Sequence, residues 1–88
     1  MTQSASCLRS LLEQDAIVAA PGAPDAMAAR LVERAGFPAV YMTGFGATAS
    51  RLGTPDIGLL TQTEMCAHAR AMTQVVDIPI IADADTGY

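Results

Sequence analysis

Ile78-Pro79-Ile80-Ile81-Ala82-Asp83-Ala84-Asp85-Thr86-Gly87-Tyr88 is a short apolar, β-branched run that ends in two acidic residues and a glycine. Such a pattern describes a buried strand whose carboxyl end opens into a site. Asp83 and Asp85 are two apart, so a strand persisting through both would aim their side chains at one face, with Cα atoms roughly 6.5–7 Å apart. Two carboxylates so placed repel, and must share a proton, meet basic partners or hold a cation. The basic residues are 5 arginines, none near this stretch in sequence. A hard divalent cation such as Mg2+ takes one or two protein carboxylates together with waters and substrate oxygens. The competing reading is a solvated Asp-Thr-Gly turn, and the stretch by itself leaves both open.

Composition sets the frame around this strand. The chain has 88 residues, 51% of them hydrophobic, and has no apolar run of transmembrane length, which describes a soluble chain of at most one domain with no membrane partner. A net charge of −4 with scattered Arg9, Arg30, Arg34, Arg51 and Arg70 argues against nucleic acid, because phosphate contacts need clustered cations. No basic segment followed by an apolar core opens the chain, and the 2 cysteines, Cys7 and Cys66, are too few for a disulfide framework. A reducing, cytoplasmic setting is expected, with both cysteines acting as small apolar packers.

Upstream, Ser4 or Ser6 is placed to cap a short helix through Leu8, Leu11 and Leu12 that breaks near Asp15. Ile17-Val18-Ala19-Ala20 is predicted as a first strand closed by Pro21-Gly22-Ala23-Pro24. A helix follows with Met27, Ala28, Leu31, Val32 and Ala35 on its apolar side, Asp25, Arg30, Glu33 and Arg34 facing away, and Gly36 as its stop. Ala39-Val40-Tyr41-Met42 is the second strand, and the connection is long enough for a helical crossover to a parallel neighbour. Residues 43–60 read as a long irregular connection carrying several glycines. Thr61 with Glu64 forms a capping box that opens a helix with Met65, Ala69, Met72 and Val76 on one face. The order, helix and then β-α-β-α-β, is that of a parallel α/β sheet or barrel, where ligands bind beyond the carboxyl ends of the strands. Ile17, Val18, Val40, Ile80 and Ile81 would supply the apolar side chains of a barrel interior.

Several motifs also have plainer readings. Gly44-Phe45-Gly46-Ala47-Thr48-Ala49 fits a dinucleotide fingerprint only formally, since Gly53 and Pro55 interrupt the helix it requires and Glu64 lies at a helix start. Glycine-flanked amides there suit a carboxylate or phosphate instead, or else the segment is a connection without a ligand. Asp85-Thr86-Gly87 is the aspartic-protease tripeptide, but it lies in the wrong context, after two helical crossovers. His68, the single histidine, is read as a surface or packing residue rather than a base, and Asp56 after Pro55 as a turn residue.

Taken together, Tyr41-Met42-Thr43-Gly44-Phe45-Gly46, Thr54-Pro55-Asp56-Ile57-Gly58 and Ala82-Asp83-Ala84-Asp85-Thr86-Gly87-Tyr88, with Pro21 to Ala26 and Ala29-Arg30, resemble the isocitrate lyase/phosphoenolpyruvate mutase superfamily. The resemblance spans essentially the whole chain and implies that residues 1–88 are an incomplete single domain, the N-terminal portion of a (β/α)8 TIM-type barrel. It also implies Mg2+, with Mn2+ as a substitute, holding a small carboxylic-acid substrate. On that likeness Asp83 is a direct metal ligand, Asp85 acts through water and Asp56 supports the metal shell. Thr43, Gly44 and Phe45 correspond to the carboxylate-gripping loop, with Tyr41 beside it. Thr43 stands where serine is usual and Phe45 where glycine or leucine is common. The family's lid-loop cysteine, further glutamates and enolate-stabilising arginine belong to later strands, so no complete catalytic set lies within the chain, and neither Cys7 nor Cys66 has the surroundings of that cysteine. The implied activity is carbon–carbon cleavage of a hydroxylated di- or tricarboxylate through an enolate, in a full-length protein that is a homotetramer. Phosphoenolpyruvate/phosphonate chemistry or oxaloacetate decarboxylation in the same fold, and a non-catalytic remnant or interaction fragment, are the alternatives.

Overall fold

The central strand, β2 (Val40–Met42), bonds on both sides, and the rest of the chain is arranged about it. Its Tyr41 N–H donates to the Pro21 carbonyl at 2.9 Å and its Val40 N–H to the Pro79 carbonyl at 3.0 Å. On one side it pairs in parallel with β1 (Gly22–Ala23), Gly22 opposite Tyr41, and on the other with β3 (Ile80–Ala82), Ile81 opposite Tyr41. The computed structural model describes residues 2–54, 60–84 and 86–87, with the side chains of residues 2–4 outside that description. The other elements are helices α1 (Thr2–Leu12), α2 (Ala26–Arg34), α3 (Gly44–Leu52) and α4 (Gln62–Thr73).

Strand order β1-β2-β3 follows the sequence, so each crossover adds a strand on the same side. A doubly wound sheet would reverse direction after its first strands; continued progression with helices on one face leads toward closure as a barrel. The burial pattern agrees. Ala23, Val40 and Met42 lie on the helix-covered face in a core with Ala29, Ala47, Met65 and Met72, whereas Tyr41 and Ile81, on the opposite face, are 36% and 37% exposed. Val40 and half-buried Ile80 therefore face the helices and not a barrel interior, a correction to the sequence reading that follows from the alternation of strand side chains.

The first strand also differs from expectation. Residues 17–20 form no strand and Ile17 is 95% exposed; the pairing falls on Gly22–Ala23, in the segment read as a closing turn. A β-branched run shows strand propensity, but register is set by where Tyr41 and Met42 find neighbours. In α2 the buried residue is Ala29, while Met27 and Leu31 are 75% and 61% exposed. The apolar stripe is rotated so that Ala29, with half-buried Ala26, Ala28 and Val32 beside it, meets the core, while Met27 and Leu31 do not. Glu33 does not simply face away: its carboxylate accepts from the Asp77 and Ile78 N–H groups at 2.6 and 3.3 Å, tying α2 to the approach of β3. Gly36, at φ 93°, ends the turn after α2 as expected.

Residues 44–52, expected to be irregular, form helix α3, capped by Thr43 and stopped by Gly53 in the left-handed region at φ 66°. Its glycines fall in the first turn and just past the end, where they cost a helix least. Helix α4 begins at the anticipated capping box, Thr61 Oγ1 accepting from Glu64 N–H at 3.2 Å and Glu64 Oε1 from Thr61 N–H at 2.9 Å. The Thr61 backbone bond, then the Thr61 hydroxyl, hold the Glu64 carboxyl below its usual 4.5. Cys7 and Cys66 are exposed rather than packed.

The half-exposed Tyr41 and Ile81, together with the outer edges of β1 and β3, leave the sheet open to further pairing. The 88-residue chain alone is expected to sediment as concentration-dependent oligomers without a cooperative monomer melt. Sedimentation velocity with thermal melting checks this, and a cooperatively melting monomer would contradict it.

Candidate active site at the strand carboxyl ends

Two strand ends meet through a backbone amide. Asp83, immediately after β3, extends the ladder by one bond, its N–H donating to the Met42 carbonyl at 3.1 Å. Its Oδ2 accepts from the N–H of Gly44, the first residue of α3, at 3.2 Å across 39 residues of chain. The carboxylate thus sits at the positive end of a helix, where unpaired amides and the helix dipole favour negative charge. Thr43, the cap of that helix, accepts from Gly46 N–H with Oγ1 at 3.1 Å, and its carbonyl accepts from Ala47 N–H at 2.8 Å. The Thr43 hydroxyl hydrogen remains available as a donor.

Gly46 is required here for space. A side-chain carbon at that position would stand 2.5 Å from Thr43 Cγ2 and 3.0 Å from Pro24 Cα, and backbone cannot yield as a flexible side chain can. The turn after β1 and the first turn of α3 are therefore in hard contact. Asp25, next along that turn, caps α2 by accepting from Ala28 N–H at 3.0 Å and receives the Ser50 hydroxyl at 3.3 Å.

The structure thus brings Thr43, Gly44 and Asp83 together, with Tyr41 at the open face and Phe45 64% exposed beside them. The Gly44 and Gly46 amides, expected to serve an external anion, are engaged by Asp83 and Thr43. Asp56 and Asp85 lie outside the described residues, and β3 ends at Ala82, so the shared strand face of Asp83 and Asp85 is not established. Among the described residues no group of three or more His, Cys, Asp or Glu side chains could hold a metal. Asp83 nonetheless offers the hard oxygen that Mg2+ prefers, oriented by an amide. Sequence reasoning missed the junction of Pro24, Gly46 and His68. The signal was present: Met65, His68 and Met72 recur at helical spacing and all are buried.

A parallel sheet progressing toward closure, with an acidic residue and a capped helix start at its carboxyl edge, is the pattern of a barrel that binds its ligands beyond the strand ends. The chain belongs to the phosphoenolpyruvate phosphomutase family, whose model matches residues 8–88. It is 55% identical over 85 residues to the 2,3-dimethylmalate lyase of Eubacterium barkeri, covering 97% of this chain and 29% of that protein. Its fold superposes on an oxaloacetate acetylhydrolase with TM-score 0.90 at 42% identity, covering 97% of this chain and 31% of the other. It also superposes on a phosphonopyruvate hydrolase crystallised with oxalate and Mg2+, with TM-score 0.82 at 33% identity, covering 89% of this chain and 27% of that one. The fold is accordingly the N-terminal portion of a TIM-type barrel, and the chain spans less than a third of the length of these relatives.

A hybrid in which residues 1–88 replace the matching segment of the Eubacterium barkeri lyase allows the cap to be tested. Thr43→Ala is expected to destabilise it by about 1 kcal/mol, the usual cost of a lost N-cap, and Thr43→Ser to cost much less. Denaturant unfolding measures both, and equal stability of all three proteins would refute the capping role.

Proposed function

We propose that this chain supplies the first strands of a Mg2+-dependent carbon–carbon lyase acting on a small hydroxylated di- or tricarboxylic acid. The observation that carries the proposal is the Asp83 carboxylate held by the Gly44 amide beside the Thr43 hydroxyl, at the carboxyl edge of the sheet. Support comes from the lyase relatives and from the Mg2+ and oxalate bound by a structural neighbour.

In this reading Asp83 would hold the metal directly, with Asp85 acting through water and Asp56 supporting the shell. Bound Mg2+ would supply Lewis acidity toward the developing enolate oxygen. Gly44 contributes by orienting Asp83, while the Thr43 hydroxyl and the Phe45 N–H, in the first turn of α3, meet the substrate carboxylate. Tyr41 borders the substrate from the open face, and exposed Phe45 limits its size. The bond chemistry is a retro-aldol step. The substrate hydroxyl loses its proton and becomes a carbonyl, the adjacent carbon–carbon bond breaks, and its electron pair passes to the departing carbon as an enolate that is then protonated. In the complete barrel that this reading implies, those protons would be moved by groups from the other strands. Phosphonate chemistry is the second reading, favoured by the matched family description and by the phosphonopyruvate hydrolase neighbour.

Assay of the hybrid against 2,3-dimethylmalate, 2-methylisocitrate, oxaloacetate and phosphonopyruvate separates these readings. Asp83→Ala is expected to lower Mg2+-dependent cleavage by at least about a hundredfold, the scale of a lost metal contribution of several kcal/mol. Asp85→Ala should chiefly raise the Mg2+ concentration needed for half-maximal activity. Full turnover by Asp83→Ala without added metal would overturn the proposal.

A further inference from the structure

His68 belongs to neither strand end, yet its imidazole is buried, 6% exposed, on the inner stripe of α4. Its Nε2 lies 2.6 Å from the Pro24 carbonyl oxygen, 44 residues earlier in the chain. A carbonyl only accepts, so these partners assign the proton to Nε2. Nδ1 then presents its lone pair, and Arg51 Nη1 on α3 stands 3.5 Å from it as the facing donor. One ring on α4 thus meets both the turn after β1 and helix α3.

Pro24 is also the surface on which the candidate site rests. Its Cα and Cβ would each lie 3.0 Å from a side-chain carbon at Gly46, so the two backbones touch with no room to spare. Gly46 N–H donates to the Thr43 hydroxyl, and Gly44, two residues before it, donates to Asp83. A shift of Pro24 is passed through close-packed contacts into the turn that presents Thr43 and Gly44. Filling the core requires only volume at position 68, whereas the contact with Pro24 requires a donor.

We propose that His68 is a positioning residue for the carboxylate-binding end of the site. Its Nε2–H bond to Pro24 fixes the Pro24–Gly46 contact and, through it, the placement of Thr43 and the start of α3. The inference rests on the reading of Thr43 and Phe45 as the carboxylate grip.

The test uses the hybrid lyase with His68→Met, which keeps apolar volume without a donor, and His68→Gln, whose amide can donate to Pro24. The readouts are KM for the cleaved substrate and Kd for oxalate in the presence of Mg2+. His68→Met is expected to raise both about tenfold, the scale of one lost hydrogen bond, with kcat changed less than about threefold, and His68→Gln to recover most of the loss. Thr61→Ala, which removes the α4 capping box, serves as the structural control: it should lower Tm and leave both constants unchanged. Unchanged constants in His68→Met, or a Gln variant as impaired as the Met variant, would overturn the proposal. Nitrogen-15 NMR of the ring gives an independent reading even if His68→Met fails to fold. An Nε2–H tautomer is expected, and an Nδ1–H tautomer would overturn the proposal. A parent hybrid that binds oxalate but cleaves nothing counts against the lyase reading, while oxalate affinity still judges His68.

Discussion

The contact on which the candidate site depends is the bond from the Gly44 amide to the Asp83 carboxylate. It joins the ends of two neighbouring parallel strands and, in the same stroke, sets an acidic group against the start of a helix. The sheet dictates this meeting. Because β2 and β3 are parallel and in register from Val40–Ile80 to Met42–Ala82, the next residues, Thr43 and Asp83, emerge side by side. The Asp83 N–H bond to the Met42 carbonyl carries that register one step beyond the strand. Thr43 then turns the chain into α3 by capping it, and Gly46 allows the helix to settle against Pro24.

Much of this could be read from residues whose chemistry is local. The strand running up to Asp83, the Thr61–Glu64 capping box and the Gly36 stop each depend on near neighbours in sequence and are in place, but β3 is not the buried strand expected, since Ile80 is half-buried and Ile81 and Ala82 are exposed. What failed depended on distant pairing. Ile17 to Ala20 has strand propensity but no strand, because the partners of Tyr41 select Gly22 and Ala23. In α2, helical spacing placed Met27, Ala28, Leu31, Val32 and Ala35 on the apolar side, whereas the close approach of helix and core selects Ala29 with Ala28 and Val32 and leaves Met27 and Leu31 outside. Glycines at 44, 46 and 53 suggested an irregular connection; they mark instead the first turn and end of α3, where glycine is tolerated or required. For the site, Thr43, Gly44 and Asp83 were legible and come together, but the amides expected to face an external anion are bound by the chain's own oxygens. The burial of His68 was legible in its helical spacing with Met65 and Met72, but its Pro24 partner, 44 residues away, was not.

The two faces of the sheet give the architecture its direction. One carries a core of small and flexible apolar residues, alanines with Met42, Met65 and Met72, suited to close helix packing. The other carries Tyr41 and Ile81, still half open. In relatives more than three times as long, the same strands are part of a barrel. Closure of this sheet in the same sense would make the face bearing Tyr41 the barrel interior and set the strand ends that carry Thr43 and Asp83 at its mouth.

The central claim, that Asp83 is the carboxylate through which this segment holds a divalent cation, is tested most directly by anomalous X-ray scattering from crystals of the hybrid lyase soaked with Mn2+ and oxalate. The account predicts one strong Mn2+ peak within direct coordination distance of an Asp83 carboxylate oxygen, with oxalate beside the start of α3. A cation bound elsewhere in the barrel, with Asp83 still held by Gly44 and touching no metal, would contradict it.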